Sequence, residues 1–366
     1  MELFQTHSFF TIAAAVTAFV VTFIAIPSII HISDVKNLYD SPNARKSHTN
    51  NIPNLGGVAI FGGFIIALAI WSRMEYQSLI QYILAGSCLI FLVGAKDDIV
   101  ELSASKKFLG QILATLIVVI LGGLRFTSFH DLFPGFEVPY WLGVLITSFT
   151  ILVIINSFNL IDGINALSGS IGIVISSAFG IWFWLNGDYQ MVVLAAALVG
   201  ALVAFLRFNV TPAKIFMGDT GSLLIGFICA VMTIHFVEMN IGEAGVDHHV
   251  NAAPGVAIGF LALPLFDLLR AFSIRILDGR SPFSPDRNHI HHMLLDCGLS
   301  HMRSTSVLVC LQLFYILFVL TLQNLGLNSW LIIGVLLTFS IVMAFILSKM
   351  RDACQEKIKI SEPSTT

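Results

Sequence analysis

The stretch Arg287-Asn288-His289-Ile290-His291-His292 gathers a guanidinium and three imidazoles, and Cys297 follows shortly after. Zinc is the first chemistry such a set raises. However, His289 and His292 are three apart with His291 offset, which is no strong zinc spacing. Arg287 places a cation beside the imidazoles, and Cys297-Gly298 reads as structural. Phosphate suits the set better, because a guanidinium offers a two-pronged donor and an imidazole exchanges its proton near neutrality. An ordered loop with no chemical duty is the competing reading.

Four further stretches carry groups of the same kind. Asp97 and Asp98 are adjacent carboxylates behind Lys96, so they need a cation or a shared proton to coexist at a membrane boundary. A solvated helix end with Lys96 as counter-charge is the plain alternative. In NSFNLIDGINALSG (156–169), Asn156, Asn159 and Asp162 recur every third residue and share one face of a helix. Their oxygens suit Mg²⁺ together with substrate phosphates, although a strip of hydrogen bonds between membrane helices looks the same. FMGDTGSL (216–223) sets Asp219 at the start of an apolar run, as a helix cap, a metal ligand or part of an anion site. ARKSHTNNIPNLGG (44–57) adds Lys46 and His48. Apart from these four, Asp267 and Arg270, three apart in PLFDLLR, read as a structural ion pair close to the histidine stretch.

The elements that position these groups follow from composition. Of 366 residues, 56% are hydrophobic and 11% charged, and the mean hydropathy is +0.87. Soluble chains carry about 25% charged residues, so this one belongs to the membrane class. The five cysteines lie apart with no CxxC pair, which argues against a disulfide framework. Apolar runs near 9–31, 55–72, 78–95, 108–124, 138–156, 163–185, 189–206, 220–239, 253–273, 305–323 and 327–348 predict an all-α bundle of about eleven spans. The first run lacks a basic leader and a cleavage site, and reads as a retained helix. Residues 1–349 are expected to form one transmembrane domain, with 350–366 as a cytoplasmic tail.

Orientation comes from the basic residues. The loops after spans 1, 3, 7 and 9, with the C-terminal tail, hold 17 of the 19 Lys and Arg; the opposite set holds Arg73 and Arg125. By the positive-inside rule the N-terminus lies outside, and the odd loops and tail lie in the cytoplasm. Those odd loops also hold all five polar stretches, so one convergent cytoplasmic site is expected. Paired glycines, Gly56-Gly57 and Gly62-Gly63, are expected to let helices pack closely.

In order, RKSHTNNIPNLGG, the KDD pair, NSFNLIDG, FMGDTGSL and SPDRNHIHH resemble the polyprenyl-phosphate N-acetylhexosamine-1-phosphate transferase family, through most of the chain. The resemblance implies a helical fold in the bacterial inner membrane and a cytoplasmic active site. It also implies Mg²⁺ (with Mn²⁺ as substitute), a UDP-sugar donor, an undecaprenyl phosphate acceptor and a homodimer, with no nucleic-acid partner. Carried onto this chain, it makes Asp97, Asp98 and Asp219 catalytic, and gives the metal to Asp219 and Asn159. Lys46, His48, Asn156, Asp162, Asn165, Arg287, His289, His291 and His292 are assigned to substrate. The DRNHIHH form resembles the branch that uses UDP-N-acetylglucosamine, rather than UDP-MurNAc-pentapeptide or another UDP-N-acetylhexosamine. Many bacterial relatives have a second aspartate where this chain has Asn165, which is then better suited to an amide contact with uracil. A covalent aspartyl intermediate is the rival to direct displacement. An ion-coupled transporter is the reading from another class, but it calls for broken helices at mid-membrane and an internal repeat, neither evident in the sequence.

Overall fold

The computed structural model describes residues 7–39, 52–72, 78–242, 247–281 and 289–361, with side chains described to Cys354. Each of the expected apolar runs is helical. In order the helices are α1 (His7–Lys36), α2 (Gly56–Trp71), α3 (Leu79–Ile99), α4 (Ala104–Leu116), α5 (Tyr140–Ile161), α6 (Leu167–Leu185) and α7 (Tyr189–Asn209). They continue with α8 (Gly218–Met239), α9 (Ala253–Phe260), α10 (Ala262–Leu277), α11 (Ile290–Asp296), α12 (His301–Asn324) and α13 (Ser329–Ser361). Among the described residues there is no strand, only an isolated bridge between Ser128 and Glu137. An all-helical chain is what a bilayer demands, since a helix satisfies its own backbone polar groups.

Among the described residues, nine helices are long and apolar enough to cross a membrane, with α4 extended by a π turn over Ile117–Leu121. The expected run 253–273 is not one straight helix. It divides at Leu261 into α9 and α10, bent by 80°, and reaches a membrane-spanning length only as a pair. At 16 residues α2 is apolar but short. α13 runs unbroken past residue 349, where the tail was expected to begin.

α8 is the hub, packed by α2, α3, α5, α6 and α9 and buried along most of its length. Lipid is as apolar as leucine, so helices associate in it through close packing and hydrogen bonds. Small residues supply that closeness at the first turn of α8. A Cβ on Gly57 would fall 2.1 Å from the Gly221 nitrogen, and one on Gly94 would fall 2.5 Å from the Thr220 Cα. Three backbones therefore meet there, and Asn54, Asp98 and Asp219 come together as a result. The expectation for the second glycine pair holds only in part: Gly63 lies against Ala18 and Thr22, whereas Gly62 faces open space.

The described parts of the polar stretches gather at one end of the bundle. At the other end Asp188 caps α7 through the Met191 N–H (3.2 Å) and pairs with His235 (2.7 Å), while Glu238 accepts from Thr127. These bonds clamp helix ends to one another.

Candidate active site

Residues 52–57 run beside 215–217, with the Gly56 N–H donating to the Phe216 carbonyl (2.9 Å) and the Phe216 N–H to the Pro53 carbonyl (2.7 Å). Gly218 then takes a left-handed φ of +70° to turn the chain into α8. A side chain at Gly218 would strike the Asp98 carboxylate, about which the turn is built.

Asp98 is a cap. One carboxylate oxygen accepts the Asp219 N–H (2.7 Å), and the other accepts the Thr220 N–H (3.0 Å) and the Thr220 hydroxyl. Two of the N–H groups that would make this helix start an anion site are thus already engaged. Replacing Asp98 with alanine should therefore destabilise the fold, by about 2–4 kcal/mol from a lost cap and orphaned N–H groups. Thermal unfolding in detergent checks this; an unchanged midpoint with lost turnover would make Asp98 a chemical group instead.

Asp97 and Asp219 meet at Lys107. The Lys107 ammonium lies 3.2 Å from Asp97 Oδ2 and also contacts Asp219 Oδ2. Asp97 is held from behind by the Leu102 N–H (2.6 Å). Asn159 donates to Asp219 Oδ1 (2.6 Å) and to the Ser222 hydroxyl (3.1 Å), so it turns its NH₂ toward the carboxylate. Direct metal ligation by Asn159 requires the amide to turn over; as placed, it orients Asp219. No group of three His, Cys, Asp or Glu that could hold a metal occurs among the described residues. The oxygens of Asp97 and Asp219 do suit Mg²⁺, which is commonly bound by one or two carboxylates together with substrate phosphates.

Sequence reading counted Lys107 only as a topogenic charge. A signal was available: a lysine in the first turn of a helix opposes the helix dipole and needs an anion to compensate it. Ser222, Thr305 and Asn209 were also missed.

Asn156 does not share the Asn159 environment. Its NH₂ donates to Gln111 Oε1 (2.8 Å) and to the Leu152 carbonyl (2.7 Å), making it a strut between α4 and α5. Asp162 ends α5. It is partly accessible, yet burial pushes its carboxyl up to about 8, with the negative charges of Asp219 and Asp98 adding to the effect. Asn165 donates to Thr211 Oγ1 (2.9 Å), its carbonyl accepts from Thr305 (2.7 Å), and its buried Oδ1 has no hydrogen-bond partner. The next residue, Ala166, adopts a φ of +64° and donates its N–H to Asn209 Oδ1 (2.6 Å), which fixes this turn.

Of the histidine stretch, His289 immediately precedes α11, and His291 and His292 lie on it. His291 is 2% exposed, and its unpartnered Nε2 faces Gly163, where a Cβ would stand 2.2 Å away. Burial pushes the His291 imidazole down to about 3, helped by His292, so it is neutral at physiological pH. The expected Asp267–Arg270 pair is corrected: Asp267 bonds to His289 Nδ1 (2.9 Å) and to the Ile290 N–H (2.9 Å). Lys46, His48 and Arg287 lie outside the described residues.

The fold and site define a multi-pass helical membrane protein with a carboxylate–lysine centre at the helix ends. Residues 80–237 match glycosyl transferase family 4. An undecaprenyl-phosphate alpha-N-acetylglucosaminyl 1-phosphate transferase of Salmonella typhi is 31% identical over 281 residues, 75% of this chain and 73% of its own length. The enzyme of the same name from Yersinia pestis is 32% identical over the same extent. A probable undecaprenyl-phosphate N-acetylglucosaminyl 1-phosphate transferase of Bacillus subtilis is 29% identical over 350 residues, 94% of each chain. The chain belongs to glycosyl transferase family 4, in company with these undecaprenyl-phosphate transferases.

Proposed function

We propose that this protein transfers N-acetylglucosamine 1-phosphate from UDP-N-acetylglucosamine to undecaprenyl phosphate, at the cytoplasmic face of the bacterial inner membrane. The carrying observation is the Lys107 ammonium between Asp97 and Asp219, beside Asn159. An oxygen of the lipid phosphate attacks the sugar-bearing phosphorus, the P–O bond to UMP breaks, and UMP departs with its phosphate. Phosphoryl transfer asks mainly for positioning and charge neutralisation. Lys107 supplies a fixed cation for the phosphates, and Asp97 and Asp219 keep that cation in place. Asp98 sets the start of α8 and so the position of Asp219. Mg²⁺ held by Asp219 and the diphosphate would offset the negative charge of donor and leaving group. Lipid phosphate is largely dianionic at neutral pH, so removal of a proton from it adds little.

Asp162 and Asn165 meet the nucleoside. A carboxyl titrating near 8 is protonated below that pH and donates a hydrogen bond there. Above it the group becomes an anion beside Asp98 and Asp219. UMP affinity of the wild type should fall about five- to tenfold between about pH 7 and pH 9, and stay flat in Asp162→Asn. Calorimetric UMP titrations check this; a wild-type affinity independent of pH contradicts it. The reading itself is tested by UMP release from UDP-N-acetylglucosamine that depends on lipid phosphate.

A further inference from the structure

Helix α11 carries His291 to the Asp162–Asn165 turn, yet it is only seven residues long. Helices this short do not hold their place unaided. It packs against α12 and α13, and its start is hydrogen-bonded to a buried set on α10. Asp267 and Arg275 are each 2% exposed, and stand about two turns apart on one helix. Asp267 Oδ2 accepts from His289 Nδ1, Asp267 Oδ1 accepts from the Ile290 N–H, and His289 Nε2 lies 3.4 Å from an Arg275 guanidinium nitrogen. A guanidinium only donates and a carboxylate only accepts, so this geometry asks for a proton on Nδ1 and a lone pair on Nε2. His289 thereby joins a buried anion to a buried cation. Its ring also lies parallel to His291, centroids 5.7 Å apart.

We propose that Asp267 is a positioning residue for the transfer reaction. It docks α11 on α10 through His289 and the Ile290 N–H, and so holds His291 against the substrate-facing turn of α5. This rests on the functional reading above. It gives His289 the duty of a clamp, and leaves His291 as the imidazole that reaches the site.

Asp267→Asn tests it, because its amide NH₂ would oppose the Ile290 N–H or the His289 Nδ1–H or, after a tautomer change, leave Nε2–H against Arg275. An Asp-to-Asn change beside a histidine acts through the tautomer in just this way. The purified variant should show a KM for UDP-N-acetylglucosamine raised by about tenfold or more, with kcat lowered by less than about threefold. A role in stability alone would reduce the folded fraction without moving KM. His289→Leu, which removes both the Nδ1 donor to Asp267 and the acceptor facing Arg275, is the second variant should Asp267→Asn fail to fold, with the same KM shift expected. Where all variants fold, the double variant should be no worse than the poorer single by more than about threefold. Unchanged KM in whichever variant folds, or effects that multiply in the double variant, overturns the proposal. Lack of transfer by the wild-type protein would instead overturn the functional reading.

Discussion

Replacing Lys107 with methionine should lower kcat/KM by at least about a thousandfold, equivalent to about 4 kcal/mol of transition-state stabilisation. Methionine keeps the length and apolar stem of lysine but removes the ammonium that faces both Asp97 and Asp219. Two effects then add. The two carboxylates lose the charge between them, and one must take up a proton or move away. The phosphates of both substrates also lose a fixed cation. Lys107→Arg keeps the charge, but a planar fork cannot replace a point charge between two carboxylates, so about tenfold loss is expected even there. Steady-state UMP release measures both; a methionine variant within about fivefold of wild type would remove Lys107 from the site.

Asp219→Asn has a comparable effect through a different route. Asparagine is nearly isosteric and leaves an oxygen for the Asn159 amide, so the start of α8 should persist, with Asp98 still capping it. What disappears is the negative charge that holds Lys107 and would share Mg²⁺ with the diphosphate. Turnover should fall by about a thousandfold or more, with a thermal midpoint within a few degrees of wild type. Stimulation of nucleotide-sugar binding by Mg²⁺ should vanish with it. Wild-type turnover in this variant would sink the metal assignment, whereas a large drop in midpoint would make Asp219 chiefly structural.

Where the chain enters and leaves the bundle was legible because membrane helices need long apolar runs, and those runs are unmistakable in this composition. The break at Leu261 leaves no mark in hydropathy, since residues 255–266 stay apolar through it; its signal is Pro264, which has no N–H to give the Phe260 carbonyl, and Gln312 donates there instead. Asp97, Asp98 and Asp219 were each picked out as polar groups against an apolar background. Their division of labour was invisible, because the N–H groups that Asp98 caps stand more than a hundred residues away. Asn156 and Asn159 looked equivalent by spacing, yet one turns to Gln111 on α4 and the other to Asp219 on α8. Asp267 shows the same limit. The three-residue spacing proposed Arg270 as its partner, but a buried carboxylate takes its hydrogen bonds where the tertiary fold supplies them, here from His289 and Ile290.

The central claim is tested most directly by incubating the purified protein in detergent with UDP-N-acetylglucosamine, Mg²⁺ and undecaprenyl phosphate, and quantifying UMP and lipid-linked sugar together. The account predicts one UMP per lipid-diphospho-N-acetylglucosamine formed, and none without the lipid phosphate. UMP released without lipid phosphate, or no release from any UDP-N-acetylhexosamine, would contradict it.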